Sequence, residues 1–157
     1  MEKVLEALRA HGAEGEVRTL TEPVPTAAAA AERLGCEPGA IANSLVFVIP
    51  GAPGEEPEPV LVLTSGAHRV DTKRVAALLG VPRLKRATPD QVLTATGQQI
   101  GGCAPIGHPR PLRTVVDTWL GKHPTIWAGA GDEFTMLSTT LEELTRLTNG
   151  TVADVGD

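Results

Sequence analysis

The sequence predicts an α+β domain built on one mixed β-sheet. Strand-like and helix-like segments interleave, but several strand-like segments follow each other through short turns, which favours a mixed sheet over a doubly wound parallel one. The chain has 157 residues, 41% of them hydrophobic, which suits a single compact domain with its own core. No Gly-x-Gly-x-x-Gly follows a strand and no Gly-Lys-Ser/Thr triplet occurs. The phosphate loops of dinucleotide-binding and P-loop folds are therefore missing.

Helices are predicted from capping residues at both ends. A side chain that accepts a hydrogen bond precedes the first turn, and a residue suited to the left-handed conformation follows the last one. The predicted cap and stop pairs are Thr26 with Gly35, Asp71 with Gly80, Thr88 (in a capping box with Pro89 and Gln91) with Gly97, and Thr139 with Asn149; a further N-terminal helix places Val4, Leu5 and Leu8 on one face.

Strands are predicted from short apolar runs rich in β-branched residues. These runs cover residues 44–49, 60–64, 114–117, 125–128 and 133–137. The proline-rich stretch Pro50–Pro59 separates the first two and is predicted to be a long exposed hairpin loop, not a domain linker.

Composition limits the classes of function. The net charge is −5, and Cys36 and Cys103 are the only cysteines, so a disulfide scaffold is excluded and a reducing cytoplasm is expected. No apolar run approaches the roughly 20 residues of a membrane helix. Residues 68–113 nevertheless hold eight basic and two acidic side chains. Because electrostatic attraction is local and screened beyond about 8–10 Å, this basic segment can still meet a polyanion, although the charges could equally be a solvated surface.

The glycine- and proline-rich segment 97–109 is the strongest candidate for a functional loop. Gly101 and Gly102 allow unusual backbone angles and close approach of a ligand, and Pro105 restricts the path that follows. Such a loop can present backbone N–H groups to a developing oxyanion, for example those of Gly102 and Cys103. The alternative is a tight turn between two elements.

Other chemistries are weaker hypotheses. Cys103 and His108 share the loop and could form a nucleophilic pair, but no third orienting group is identifiable. The four histidines have no metal-ligand spacing, so neither a metal nor another cofactor is predicted. Asp117 follows an apolar strand, where its carboxylate could bind a substrate or cap the next turn.

Five segments in this order resemble the YbaK/EbsC (ProX-like) aminoacyl-tRNA deacylase superfamily. The resemblance covers roughly residues 24–155, and the glycine–proline loop is its most specific part. The segments are Ile41-Ala42-Asn43-Ser44-Leu45-Val46-Phe47, Val70–Val75, Thr96-Gly97-x-x-Ile100-Gly101-Gly102-x-x-Pro105-x-Gly107, Thr114–Asp117 and Val152–Val155.

The resemblance implies a curved mixed sheet around a small pocket with flanking helices. It implies metal-independent hydrolysis of the ester of mischarged tRNA, with the acceptor end of tRNA and an aminoacyl-tRNA synthetase as partners. The loop from Gly101 to Pro105 would position the substrate through its backbone. On this interpretation the candidate catalytic residues are Asn43, Gly101, Gly102, Cys103 and Pro105, and the candidate substrate-binding residues are Thr26, Ser44, Lys73, Gly107, His108 and Asp117.

Asn43 departs from the family pattern. Many family deacylases carry a lysine at this position, and asparagine forms hydrogen bonds without bringing a charge. Three interpretations stay open: a deacylase in which Asn43 binds the ribose, a deacylase in which Lys73, Arg69 or Arg113 replaces the missing cation, and a binding protein without turnover. A hydrolase of small esters unrelated to tRNA is a further hypothesis.

Overall fold

A computed structural model describes residues 2–23, 26–98, 103–132 and 134–156. The helices are α1 (Glu2–Ala10), α2 (Ala27–Leu34), α3 (Thr72–Leu79), α4 (Pro89–Thr96) and α5 (Leu141–Thr148). The strands are β1 (Val17–Thr19), β2 (Ile41–Ile49), β3 (Glu58–Ser65), β4 (Lys85–Arg86), β5 (Arg113–Asp117), β6 (Ile126–Gly129), β7 (Thr135–Thr139) and β8 (Thr151–Ala153). Two short 3-10 helices span Pro38–Ala40 and Thr118–Lys122.

The strands belong to one mixed sheet, which confirms the predicted fold class. Their order is β1-β7-β6-β2-β3-β5-β8, and β4 pairs with β2 outside this path. The pairs β2–β6, β3–β5 and β5–β8 are parallel, and the other pairs are antiparallel. Within the described ranges, no helix combines the length and apolar character needed to span a membrane.

Most of the predicted helix ends are confirmed. Thr26, Asp71 and Thr88 accept hydrogen bonds from the first turns of α2, α3 and α4, and Thr88 with Gln91 forms the complete capping box. The prediction that Thr139 caps α5 is wrong by one residue. Thr139 is the last residue of β7, and Thr140 accepts the capping hydrogen bond from Glu143 N. Two successive threonines precede this helix, so local sequence alone does not separate them.

The strands differ from the prediction in length, position and number, and β6 and β7 begin one and two residues later than predicted. β2 begins at Ile41, three residues before the predicted start, and the hairpin to β3 is confirmed. β1, β4 and β8 are missing from the prediction because each has only two or three residues. Their pairing depends on partners far away in sequence, such as β7 for β1.

Helices cover both faces of the sheet. On one face, α1, α4, α5 and the segment 103–106 pack in a large apolar cluster that includes Ala42, Val46, Leu61 and Leu63 of the central strands. On the other face, α3 packs over Phe47, Val60 and Val62, and α2 packs over Ile41 and Trp127.

The two ends of the sheet carry different groups. The parallel strands β3, β5 and β8 finish at one end, where β2 and β6 begin. We call this the Asp117 end, and it includes Ser65, Asp117 and Ala153. The opposite end, which we call the Pro50 end, holds the hairpin loop 50–57, the start of β5 at Arg113 and the short strand β4.

Candidate functional site

The outer edge of β2 is interrupted near Asn43. On the edge away from β3, β2 pairs with β6 at residues 41–42 and with β4 at residues 47–48. Residues 43–45 lie between these pairings without a strand partner on that edge in the part of the chain that the structure describes. They are also half-buried, whereas the residues on either side are buried. An unpaired strand edge offers backbone N–H and C=O groups to a ligand, so this gap is the first element of the candidate site.

Asn43 and Ser44 point to opposite faces of the sheet, because side chains alternate along a strand. Asn43 pairs with Thr64 and lies between the clusters under α2 and α3. Ser44 pairs with Leu63 on the face that the segment 103–106 covers. The hydroxyl groups of Ser44 and Thr64 are buried and have no hydrogen-bond partner. A buried unpaired hydroxyl costs about 1–3 kcal/mol, so both faces carry a polar group that a ligand could satisfy.

Asp117 is completely buried and accepts three hydrogen bonds. The donors are Ser65 N (3.0 Å), Trp119 N (3.0 Å) and His68 Nδ1 (2.8 Å). The bond from Trp119 N caps the 3-10 helix Thr118–Lys122, so the capping role considered from the sequence is confirmed. The side chains of Asp117 and His68 are both 0% exposed. Asp117 therefore organises the ends of β3 and β5 from inside the protein.

The ends of the glycine-rich loop are joined by side-chain hydrogen bonds. Gln98 is buried, and its Oε1 accepts a hydrogen bond of 2.6 Å from Ala104 N. Thr96 Oγ1 donates to Val92 O at 2.7 Å and accepts from Gln98 N at 3.0 Å. These contacts tie the end of α4 to the segment that follows the loop. Gly101 and Gly102, the predicted catalytic glycines, lie outside the described residues.

Cys103 and His108 are both held in states unfavourable for a nucleophilic pair. Burial raises the pKa of the Cys103 thiol above its ordinary value of 9.0, and the contact with Thr96 opposes this more weakly. Burial lowers the pKa of His108 below its ordinary 6.5, against a smaller effect of the hydrogen bond to Ala104. His108 Nε2 donates to Ala104 O at 2.9 Å. The thiol is thus stabilised in its protonated form, which is not the nucleophile.

Pro105 and Gly107 fit the loop against the rest of the fold. Pro105 is buried. Gly107 has a φ of +85°, and a Cβ atom at this position would lie 2.9 Å from the Cα atom of Val4 in α1. Glycine is therefore needed at residue 107 both for its backbone conformation and for the close approach of α1.

The predicted substrate-binding residues Thr26 and Lys73 are both exposed near helix starts. Thr26 Oγ1 accepts a hydrogen bond from Ala29 N, and Lys73 lies in the first turn of α3. Of the cations considered as substitutes for a charge at Asn43, Arg69 follows His68 at the Asp117 end. Arg113 lies at the Pro50 end, where it donates to Leu79 O.

The fold thus separates the predicted site residues into two groups. Asn43 and Asp117 share one face of the sheet, and Ser44 shares the other face with the segment from Cys103 to His108. Three further residues of the site were not predicted from the sequence: His68, Thr64 and Gln98. A glutamine next to Gly97 was the only signal for the loop contact, and nothing local pairs His68 with Asp117, which is 49 residues away. Among the described residues, no three His, Cys, Asp or Glu side chains are grouped to hold a metal ion.

Comparison with known proteins identifies relatives along most of the chain. The family model described as "Aminoacyl-tRNA editing domain" matches residues 21–147. A protein of Enterococcus faecalis named "Putative Cys-tRNA(Pro)/Cys-tRNA(Cys) deacylase EbsC" is 28% identical over 130 residues, which are 83% of this chain and 76% of the relative. Proline–tRNA ligase of Limosilactobacillus fermentum is 32% identical over 123 residues, which are 78% of this chain but only 21% of the ligase.

A solved structure has the same architecture. The "Crystal structure of a putative trans-editing enzyme for prolyl tRNA synthetase" superimposes with a TM-score of 0.88 at 38% sequence identity. The match covers 99% of this chain and 96% of that one. Because the family match, the sequence relatives and the fold agree over the segment that contains β2 and the loop, the chain belongs to the aminoacyl-tRNA editing domain family.

Proposed function

We propose that this protein is a freestanding deacylase that hydrolyses the ester bond of mischarged aminoacyl-tRNA. The observation that carries the proposal is the editing-domain match over residues 21–147, which contains both the gap in β2 and the tied loop. The match to most of the length of a chain described as a trans-editing enzyme supports action apart from a synthetase.

The reaction needs positioning more than a reactive side chain. The oxygen of a water molecule bonds to the ester carbonyl carbon, the bond from that carbon to the ribose oxygen breaks, and a proton passes to the ribose oxygen. Negative charge develops on the carbonyl oxygen, and backbone N–H groups of the loop between Gly101 and Pro105 would stabilise it. A metal ion is not required for this step, and the protonated Cys103 thiol would stay outside it.

The exposed and half-buried residues of the candidate site have proposed places in substrate binding, whereas the completely buried Asp117 acts from inside the protein. The carboxamide of Asn43, half-buried in the gap of β2, would bind the terminal ribose, because it both donates and accepts hydrogen bonds. Ser44, Gly107 and His108 would lie along the amino-acid side of the pocket. Thr26 and Lys73 would face the approaching tRNA. A narrow pocket distinguishes amino acids by size at only about 1–3 kcal/mol per methylene, which is why synthetases benefit from a separate hydrolytic step.

A panel of charged tRNAs tests the proposal. The substrates are Cys-tRNA(Pro), tRNA(Pro) charged with other small amino acids, and correctly charged Pro-tRNA(Pro), each with micromolar protein and EDTA. We expect ester release from at least one mischarged substrate well above buffer, with little from Pro-tRNA(Pro). Absence of release from every substrate would show that the protein is not a deacylase.

Three variants test the assignment of roles. Asn43→Ala should lower the deacylation rate roughly five- to tenfold, because one hydrogen bond to the bound substrate is worth about 1–1.5 kcal/mol. Cys103→Ala should retain most of the activity, and Gly101→Ala should lose it. A dead Cys103→Ala protein that still folds would establish a thiol mechanism instead.

Binding without turnover is the alternative function, and Asn43 is the observation that favours it. A lysine beside a phosphate or a developing anion contributes a charge-assisted hydrogen bond, which asparagine cannot replace in full. The alternative predicts salt-sensitive binding of tRNA with no ester release from any substrate in the panel. Asn43→Lys would then be expected to introduce measurable hydrolysis.

A further inference from the structure

A stack of side chains at the Asp117 end joins a buried carboxylate to an exposed ammonium group. The rings of His68 and Trp119 are parallel within 4°, with centroids 3.6 Å apart. Lys122 Nζ lies 3.9 Å from the centroid of the Trp119 ring. Since the imidazole occupies one face of the indole, the ammonium lies against the other face. We call Asp117, His68, Trp119 and Lys122 the Asp117–Lys122 column.

The column is rigid at its base and exposed at its tip. Asp117 accepts hydrogen bonds from both His68 Nδ1 and Trp119 N, so it fixes the imidazole and the backbone that carries the indole. Trp119 is half-buried and Lys122 is exposed. A cation–π contact of this kind favours positions in which the lysine side chain stays over the ring. The long lysine side chain is therefore held in one region, and the ammonium is the part of the column that a ligand in solution can reach.

Lys122 is also available to an anion. Within residues 2–23, 26–98, 103–132 and 134–156, no carboxylate forms an ion pair with it. Arg74, at the same end of the sheet, differs because it contacts Asp154 at 3.2 Å and donates to Gly156 O. His68 cannot meet a ligand itself, since its side chain is 0% exposed.

The tip of the column lies at the end of the sheet where β2 begins. The residue after Lys122 is His123, whose Nε2 would be 3.0 Å from a Cβ atom built on Gly39. Gly39 precedes Asn43 by four residues, which is at most roughly 14 Å of chain. A ligand that occupies the gap at Asn43 and extends past the start of β2 would therefore approach the 3-10 helix that carries Lys122.

We propose that Lys122 binds a backbone phosphate of the tRNA acceptor end and supplies the positive charge that Asn43 lacks. This inference rests on the proposed function. Lysine suits the role as a compact point charge for phosphate. Asp117, His68 and Trp119 are positioning residues that hold the ammonium in place. Lys122 lies outside the basic segment 68–113, so it is a different cation from those that the sequence suggests.

The test measures how binding of uncharged tRNA(Pro) depends on KCl concentration. The logarithm of the association constant for tRNA falls linearly with the logarithm of the KCl concentration, and removal of one phosphate contact decreases the steepness of this slope by about 0.7–0.9. We expect this decrease for Lys122→Gln and the wild-type slope for Lys122→Arg. The matched control is Arg9→Gln, an exposed cation in the last turn of α1 on the face of the sheet opposite Asp117, which should leave the slope unchanged. Trp119→Leu should weaken binding about two- to fivefold and keep most of the slope, because the charge remains but is no longer held.

The outcomes separate this inference from the proposed function. A wild-type slope in Lys122→Gln, or an equal decrease in Arg9→Gln, overturns the role of Lys122 and leaves the deacylase proposal intact. Failure of the wild-type protein to bind tRNA overturns both. Because Lys122 is exposed, Lys122→Gln should fold normally, and a thermal melt of each variant confirms that the slopes refer to folded protein.

Discussion

The two ends of the sheet handle polar groups in opposite ways. At the Asp117 end, Asp117 and His68 are completely buried and hydrogen-bonded to each other, and Thr64 keeps an unpaired hydroxyl. At the Pro50 end, Arg113 and Glu58 are 3.7 Å apart with side chains about half exposed (45% and 55%). The buried Asp117 and His68 depend on their hydrogen bonds because water cannot reach them. The exposed Arg113 and Glu58 both stay in contact with water.

This difference sets apart the end of the sheet that adjoins the gap at Asn43. Burying polar groups stabilises a protein little, because desolvation offsets most of what their hydrogen bonds contribute. A surface ion pair is worth about 0–1 kcal/mol and can be changed at low cost. The buried Asp117 and His68 lie at the end of the sheet where β2 begins, close to the gap at Asn43.

The largest effect is expected from Asp117→Ala. Three donors, including the fully buried His68 Nδ1, would lose their acceptor. Each buried donor left without an acceptor costs about 1–3 kcal/mol. Urea unfolding of Asp117→Ala against Glu58→Gln at the Pro50 end measures the contrast, and Glu58→Gln should change the free energy of unfolding by no more than about 0.5 kcal/mol. Similar losses in the two variants would mean that the ends do not differ.

A smaller effect is expected from a pair of glycine substitutions. Gly107 and Gly54 both have positive φ, but only Gly107 has neighbouring atoms, since Gly54 has nothing within 4 Å of an added Cβ. Gly54→Ala should cost about 1–2 kcal/mol from backbone strain alone. Gly107→Ala should cost more, because the methyl group would also press on the backbone of Val4 in α1. Thermal unfolding of the two variants measures the difference, and equal losses would show that α1 moves aside freely.

The smallest effect is a pH dependence from His108. Burial lowers the pKa of His108 in the folded protein below its ordinary 6.5. As the pH falls through 6.5, the unfolded chain therefore takes up a proton before the folded protein does. The stability contributed by neutral His108 is present above about pH 6.5 and is lost as the pH falls through the folded-state pKa. The free energy of unfolding of His108→Asn should decline less than that of the wild type between pH 7.5 and 5.5. The same decline in both proteins would contradict this role.

Local features of the fold were predictable from the sequence because their causes are local. Thr26, Asp71 and Thr88 each bond to a backbone N–H two or three residues along the chain. The helix ends at Gly35, Gly80 and Gly97 follow from left-handed backbone conformations that glycine adopts easily. The hairpin between β2 and β3 follows from two β-rich runs around a proline-rich stretch.

For the basic segment, the positions of the cations in the fold could not be predicted from the sequence. Residues 68–113 carry a net positive charge along the chain, but the fold places Arg69 at the Asp117 end and Arg113 at the Pro50 end. Lys122 comes from an acidic part of the sequence and still lies near the start of β2. Proximity in sequence therefore did not predict which cations could share a ligand.

The sequence by itself determined the mixed α+β fold, four of the helix caps and stops to within one residue, and the resemblance to an editing family. Those properties depend on hydrophobic pattern, capping chemistry and motif order, all of which are written along the chain. Only the tertiary structure decided that β2 has a gap at Asn43, that Asn43 and Ser44 face opposite sides, and that His68 pairs with Asp117. Each depends on strands or side chains that are distant in sequence and that meet only when the sheet assembles.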